Sequence, residues 1–225
     1  GQLESVDETA LMNGMNLAAI GDGSADQWEV FQFEWAELVA ENTYRLTKRL
    51  RGQVGTDALI PPVWPRGSRF VLLNDMPAQI ASSPNLRQVN QQYRIGPATR
   101  SYDDPSYIQH SAAFEGNGLR PLRPCHLQAR VETEDVIFNW IRRTRVGGDS
   151  WDSFEVPLAE ENEQYSVRLL QDGKIFREAI TTDPVWRYDA QTRLIDGVMG
   201  AFALSVAQIS ASYGAGPAAQ ISVAL

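Results

Sequence analysis

The sequence is poor in metal-binding side chains. It has one cysteine, Cys125, and two histidines, His110 and His126, among 225 residues. A single cysteine excludes a disulfide within the chain and any site built from several thiolates. Structural zinc needs more ligands than an adjacent cysteine and histidine with one distant histidine. We therefore expect no metal site and no cofactor.

Long hydrophobic runs and an excess of basic residues are also missing. No stretch reaches the roughly 18 consecutive apolar residues of a membrane span, and the N-terminus lacks the order of a signal peptide. The formal net charge is -8. Proteins that coat nucleic acid or an anionic membrane need a clustered basic surface, so we expect neither nucleic acid binding nor membrane insertion. Because the sequence starts at Gly1 and not at methionine, we also expect a fragment of a longer polypeptide.

The residues that are present indicate short β-strands. Hydrophobic content of 43% and charged content of 21% are ordinary for a globular protein. Phe31, Phe33 and Trp35 alternate with polar residues, which predicts a strand over 28–39. Residues 9–20 favour extended chain over a short helix, because Gly14 and two asparagines interrupt them. No long 3.6-residue period occurs, so the fold class is predicted to be mainly β. Further strands are predicted over 44–50, 69–73, 88–94 and 107–114.

A strong strand pattern begins at Val136, where Val136, Phe138 and Trp140 share one parity and predict a buried face. Arg142, Arg143 and Arg145 follow, and we expect them to project into a hairpin that turns at 147–149 and returns through 151–156. Two glycines and two prolines in residues 116–124 predict a short, stiff linker. We therefore predict an N-terminal β-rich domain, a barrel or a sandwich, over 1–120 and a β-sandwich over 121–225.

Patterns for catalysis or calcium binding are incomplete. Asp22 to Asp26 place oxygen ligands two residues apart, but a calcium loop of EF-hand type needs a glycine and a carboxylate where Gln27 and Phe33 stand. A turn is therefore favoured. No Gly-x-Ser-x-Gly motif presents a nucleophile. The acidic groups 132–135 and 160–163 are most simply solvated turn residues, so we expect no catalytic residues and no enzyme activity.

Aromatic and basic side chains are the better candidates for function. Trp64, Trp151 and Trp186 lie next to proline, glycine or charged residues, and an exposed indole can stack on a sugar ring or a partner side chain. The alternative is that each packs a loop onto its own core. The three arginines can bind carboxylates of a neighbouring subunit or pair internally with Asp149, Asp152 or Glu155 across the predicted hairpin, and both alternatives stay open.

The order of elements after residue 120 resembles a fibronectin type III domain. Trp140 closes the second predicted strand, Tyr165 opens the third, and Val206 to Pro217 match the end of such a domain. Phe202 stands where the family has a tyrosine, so the hydrogen bond of the tyrosine corner is lost. The insertion from Arg142 to Glu163 is longer than usual in the family.

A second resemblance covers nearly the whole chain. Several segments of this sequence resemble, in the same order, the C-terminal part of a family of large tail-tip proteins. The family is that of alphaproteobacterial gene transfer agents and related tailed phages. These segments are Trp28–Phe33, Leu46–Thr56, Gly116–Leu122, Trp140–Arg145 and Gly148–Trp151.

This resemblance implies a structural, host-contacting module of a tail tip or baseplate that acts through protein contacts or cell-surface glycan. It also implies other tail proteins as partners, a homotrimer about the tail axis, and assembly in the bacterial cytoplasm into a phage-like particle. The family's upstream hub and hydrolase-related domains are absent from these 225 residues. The alternative hypothesis is an accessory carbohydrate-binding module of a cell-wall hydrolase, and a third is that the fragment is itself hydrolytic.

Overall fold

The computed structural model describes residues 2–73, 80–148, 155–198 and 200–224. The chain is mainly β, which confirms the predicted fold class, and it divides into two compact units, Gly1–Asn117 and Gly118–Leu225. Trp151, a predicted contact residue, lies outside the described residues. Within the described ranges, no helix is long and apolar enough to cross a membrane.

The first unit is built on an antiparallel four-stranded sheet with the order β3-β2-β1-β4, so β3 and β4 are its edges. The strands are β1 (Leu17–Gly21), β2 (Trp28–Ala40), β3 (Thr43–Gln53) and β4 (Arg69–Leu72). Strand β1 pairs with β2 only up to Gln32, so β2 and β3 continue beyond it as a longer two-stranded ribbon. Ala18, Phe31 and Phe33 are buried as a small core, and the strand predicted over 28–39 is present. The predicted alternation is wrong in part, because Gln32 and Glu34 are buried as well and Trp35 is exposed.

A short helix, α1 (Glu8–Met12), precedes β1. The prediction of extended chain is therefore wrong for residues 9–12. The Asp7 carboxylate accepts a hydrogen bond from the Ala10 N–H at 2.8 Å and caps the helix. The side-chain amide of Gln32 then donates to the carbonyls of Leu11 and Met15, which ties the end of the helix to β2. Capping and this tertiary contact outweigh the poor helix propensity of the segment.

A separate two-stranded sheet lies later in the first unit. It pairs β5 (Gln91–Ile95) with β6 (Ile108–Ala112), which confirms both predicted strands with shorter bounds. Residues 96–107 form the loop between them. Three short 3-10 helices, Thr56–Leu59, Pro84–Leu86 and Asn117–Leu119, lie outside the sheets.

The second unit is a sandwich of two antiparallel sheets. One sheet has the order β11-β8-β7 and contains β7 (Cys125–Glu132), β8 (Asp135–Ile141) and β11 (Val185–Tyr188). The other contains β9 (Tyr165–Gln171), β10 (Lys174–Thr181), β12 (Phe202–Ser210), β13 (Gly214–Ala215) and β14 (Ala219–Val223). Strand β12 pairs with β9, β13 and β14. Helix α2 (Ala190–Asp196) lies between β11 and β12 in the chain.

Alternate side chains of both sheets fill the interior of this sandwich, and each large apolar side chain contributes about 1.5–3 kcal/mol by its burial. Val136, Phe138 and Trp140 of β8 are all buried, as their shared parity predicts. The Phe202 ring packs edge-on against Phe138 with 6.4 Å between the ring centroids. The other buried members are Tyr165, Val167, Leu169, Tyr188, Leu204, Val206 and Val223.

The segment after β8 differs from the predicted basic hairpin. Strand β8 ends at Ile141, and the described residues 142–148 and 155–164 contain no strand. The Arg142 guanidinium donates to the carbonyls of Val156 and Pro157 at 2.7 and 3.0 Å. A buried or half-buried guanidinium needs such acceptors, so the arginine folds the returning chain against the sandwich instead of projecting away from it. The predicted turn at Asp149 lies outside the described residues.

Candidate functional site

Trp64 is held in place by a buried ion pair in the first unit. Its indole N–H donates to the Glu29 carboxylate at 2.7 Å, and the side chain of Glu29 is only 1% exposed. Arg51 of β3 donates twice to the same carboxylate, at 2.7 and 2.6 Å. The half-buried indole therefore has a fixed orientation, because its single donor is already used.

The Glu29 carboxylate stays ionised in this environment. Burial opposes ionisation, but the hydrogen bonds from Arg51 and Trp64 outweigh it, and the pKa of Glu29 lies below its ordinary value. The hydrogen bonds between Arg51 and Glu29 raise the pKa of Arg51. The site thus joins β2, β3 and the loop 60–65, which contains three prolines. The Gln27 side chain donates to the Leu59 carbonyl at 2.8 Å, directly before this loop.

Two of the three candidate arginines pair within the second unit. The Arg145 guanidinium donates to Glu160 and lies 5.6 Å from the centroid of the Tyr213 ring. The Glu160 side chain is 3% exposed, so it is a buried ion-pair partner and not the solvated turn residue that we predicted. Arg142 lies 4.0 Å from the Glu163 carboxylate, which also accepts a hydrogen bond from the Tyr165 hydroxyl.

The remaining candidates are placed as follows. Arg143 donates to the Arg123 carbonyl at 3.5 Å. Trp186 of β11 is half-buried and stacks on Phe138 and on Tyr188, with ring centroids 5.8 and 5.7 Å apart. The three arginines and Trp186 lie in the second unit, whereas Trp64 lies in the first.

The predicted turn at 22–26 is present. The Asp22 carboxylate accepts a hydrogen bond from the Ser24 N–H at 2.8 Å, and this bond lowers the pKa of Asp22. The Ser24 hydroxyl oxygen accepts from the Gln27 N–H at 3.2 Å. In the part of the chain that the structure describes, no group of three or more His, Cys, Asp or Glu side chains is placed to hold a metal ion.

A further aromatic feature lies in the loop 96–107, which we call the tyrosine loop. Tyr102 is 72% exposed, and its ring lies against that of Tyr107 with a centroid distance of 5.6 Å. The Tyr107 hydroxyl lies 3.0 and 3.3 Å from the carbonyl oxygens of Pro97 and Arg100, which share its single proton. The loop therefore packs around Tyr107 and presents Tyr102 to solvent.

The turn signals Gly96-Pro97 and Asp103-Asp104-Pro105 predict this loop between the two strands. Tyr102 directly precedes the second turn signal, but it was not among the predicted contact residues. An aromatic residue beside a turn between paired strands is a candidate for exposure, because connecting segments run over the surface. A neighbouring proline or glycine, in contrast, did not show whether a tryptophan side chain is exposed or packed.

Comparison with known proteins gives one match to a family. Residues 1–71 match the family described as "Rcc01698-like, C-terminal". No curated protein has a significant match to the chain.

Two solved structures are similar at low identity. The Clostridium perfringens spore cortex lytic enzyme SleM is 9% identical with a TM-score of 0.31, over 47% of this chain and 28% of that chain. Domains d3–d4 of the rat CD45 extracellular region are 10% identical with a TM-score of 0.35, over 85% of this chain and 94% of that chain. Both similarities are too low to carry an argument about function.

Proposed function

We propose that this chain is a structural, host-contacting module of the tail tip or baseplate of a phage-like gene transfer particle. The observation that carries the proposal is the family match over residues 1–71, because Rcc01698 is a gene transfer agent-associated protein. The matched residues include α1, β1, β2 and β3, which form most of the four-stranded sheet. They also include the segments Trp28–Phe33 and Leu46–Thr56, on which the resemblance to tail-tip proteins rests in part.

The surface of the first unit supports a role in assembly. Its buried cluster consists of Ala18, Phe31 and Phe33, whereas Trp35, Leu38 and Val39 on β2 are 51%, 61% and 44% exposed. These side chains lie where β2 pairs with β3 alone, so they are available for contact with other proteins. A small core beside apolar surface fits a module that is completed by neighbouring subunits.

The pairing of acidic side chains supports a role without catalysis. Glu29, Glu160 and Asp196 have side chains that are 1%, 3% and 8% exposed, and each accepts hydrogen bonds from an arginine. A carboxylate that is buried and paired in this way stabilises the fold and has little freedom to exchange protons with a substrate. We therefore propose a mechanical and adhesive role.

The proposed mechanism depends on rigid units and repetition. Two-sheet sandwiches hold their loops at fixed places, and weak contacts become strong when several copies bind one surface at high effective concentration. We propose other tail proteins as partners, a host cell-surface glycan or protein as the target, and a trimer about the tail axis as the repeated arrangement.

Imaging of labelled particles tests this proposal. A peptide tag inserted at the exposed turn Asp172-Gly173 between β9 and β10 leaves both buried clusters intact. Electron microscopy of purified particles with a gold-labelled antibody should place the label at the tail tip. Label on the capsid, or particles without label although the tagged chain is expressed, would refute the proposal.

The indole of Trp64 favours one alternative, a carbohydrate-binding module of a cell-wall hydrolase. Its fixed orientation suits stacking on a sugar ring. Sedimentation with purified peptidoglycan tests this alternative, using Trp64→Phe as a variant that keeps an aromatic ring and Trp64→Leu as one that does not. Binding that Trp64→Leu abolishes and Trp64→Phe retains, with unchanged circular dichroism in both and no label on purified particles, supports the hydrolase module over the tail-tip role.

A further inference from the structure

We propose that the tyrosine loop binds carbohydrate, with the Tyr102 ring stacking on a pyranose sugar. This inference rests on the proposed host-contacting function and assigns a contact site to it. Tyr102 was not among the six residues that the sequence indicated, and it lies in the first unit apart from the arginines of the second.

The loop is organised before any ligand binds. Successive turns close through hydrogen bonds from the Arg100 N–H to the Pro97 carbonyl, from the Asp104 N–H to the Ser101 carbonyl, and from the Tyr107 N–H to the Asp104 carbonyl. These three bonds are 3.0, 3.0 and 3.1 Å long. A loop that is ordered in advance loses little conformational entropy on binding, which favours affinity for a small ligand.

Gly96 is required for this arrangement. A Cβ atom at residue 96 would lie 2.5 Å from the Tyr107 ring, which is too close for any side chain. The Tyr107 ring therefore packs directly on the backbone at the start of the loop. Asp104 stabilises the turn near the end of the loop, because its carboxylate accepts a hydrogen bond from the Ser106 N–H at 3.0 Å.

The groups that remain available suit a sugar. Tyr102 is 72% exposed, and among the described residues neither its hydroxyl nor the exposed Asp103 carboxylate has a hydrogen-bond partner. The Arg100 side chain is 64% exposed, and its guanidinium lies 3.5 Å from the Asp104 carboxylate. This ion pair is long and solvent weakens it. The same short loop thus carries an exposed aromatic ring, a free carboxylate and an exposed guanidinium, which offer stacking together with acceptors and donors for sugar hydroxyl groups.

The size of the loop favours a sugar over a protein partner. A stable protein interface takes roughly 20–30 residues on each side, which is about twice the length of this loop. A single sugar unit needs only one aromatic face and a few polar groups. Repetition of the loop in an assembly would raise a weak affinity for each site to strong attachment.

Binding to a glycan array tests the proposal. The full chain, biotinylated and displayed on streptavidin to give several copies, is applied to an array of hexoses, N-acetylhexosamines, deoxyhexoses and uronic acids. We expect binding to at least one sugar class and a loss of about tenfold or more for Tyr102→Ala. Tyr102→Phe keeps the ring and should retain most of the binding.

Trp35→Ala is the matched control, because Trp35 is a 51% exposed aromatic residue on the sheet of the same unit. It should bind like the unchanged chain. Circular dichroism shows whether each variant is folded, and saturation-transfer NMR on the unchanged chain gives a second measurement if Tyr102→Ala does not fold. No binding to any sugar class, equal loss in Trp35→Ala, or full binding by Tyr102→Ala would overturn the proposal. These outcomes leave the particle-imaging experiment unaffected, so the two proposals fail separately.

Discussion

The buried ion pair between Glu29 and Arg51 should stabilise the first unit strongly at neutral pH. Replacing Arg51 with methionine keeps a long side chain but leaves the Glu29 carboxylate, which is 1% exposed, without its charged partner. Removing one partner of a buried pair costs about 3–5 kcal/mol. The Arg51 side chain is 36% exposed and the Trp64 N–H still donates to Glu29, so solvent and this hydrogen bond reduce the loss. We expect a destabilisation of about 2 kcal/mol at pH 7.

The pH dependence of this loss identifies its cause. The pKa of Glu29 is lowered in the folded chain, so the pair stabilises fully above the unfolded-state pKa of about 4.3 and its contribution disappears as pH falls through the folded-state pKa. In Arg51→Met, burial penalises the charged form of Glu29, and this penalty disappears when the carboxyl group takes up a proton. The difference between the two proteins should therefore shrink below about pH 4.

Hydrogen exchange measures the effect in the first unit alone. A loss of about 2 kcal/mol in the free energy of unfolding should speed exchange of protected β2 and β3 amides about 30-fold at pH 7. The exchange rates of β12 amides in the second unit should not change. Arg49→Met is the matched control, since Arg49 is exposed on the same strand and has no ion-pair partner among the described residues. If Arg49→Met and Arg51→Met exchange alike, or if the difference grows towards pH 4, the ion pair does not stabilise the unit as argued here.

Three further changes should separate packing from contact roles. Trp186→Ala removes a ring stacked on Phe138 and should destabilise the second unit by about 2–3 kcal/mol in urea unfolding; loss of sugar binding without destabilisation would contradict the packing role. Asp196→Asn breaks a two-bond pair with Arg177, in which both contacts are 2.5 Å, and should lower stability by about 2 kcal/mol in thermal melting; an unchanged melting temperature would contradict this. Gly96→Ala should speed exchange of amides in the tyrosine loop without changing β2, and equal protection would show that the loop tolerates the added carbon.

The sandwich could be predicted because its strands alternate cleanly. Val136, Phe138 and Trp140 are buried as expected, since a two-layer fold needs one apolar face from each strand. Helix α1 could not be predicted in the same way, because it has five residues and depends on the Asp7 cap and on contacts from Gln32 across 21 positions. Short elements fixed by tertiary contacts leave little periodicity in the sequence.

The contact residues were harder to predict for a related reason. A tryptophan beside proline can point to solvent or donate to a buried acid, and the sequence near Trp64 does not contain its partner, Glu29, which lies 35 positions away. The same holds for Arg145, whose partner Glu160 lies 15 positions away. Pairing between distant side chains is set by the fold, so residue type alone indicated the candidates without showing which of them were free.

The edge position of β3 has a consequence for the behaviour of the chain at high concentration. An open strand edge invites strands of other molecules to add to the sheet, which leads to aggregation. Strand β3 carries Arg45, Lys48, Arg49 and Arg51, and the backbone of Lys48 has a positive φ of 50° that disturbs the regular spacing of its N–H and carbonyl groups. Carboxylates of β2 pair with three of these cations, so the irregular backbone and not an unpaired charge is what makes the pairing of one β3 with another unfavourable. Chains that meet at this edge therefore do not readily extend the sheet.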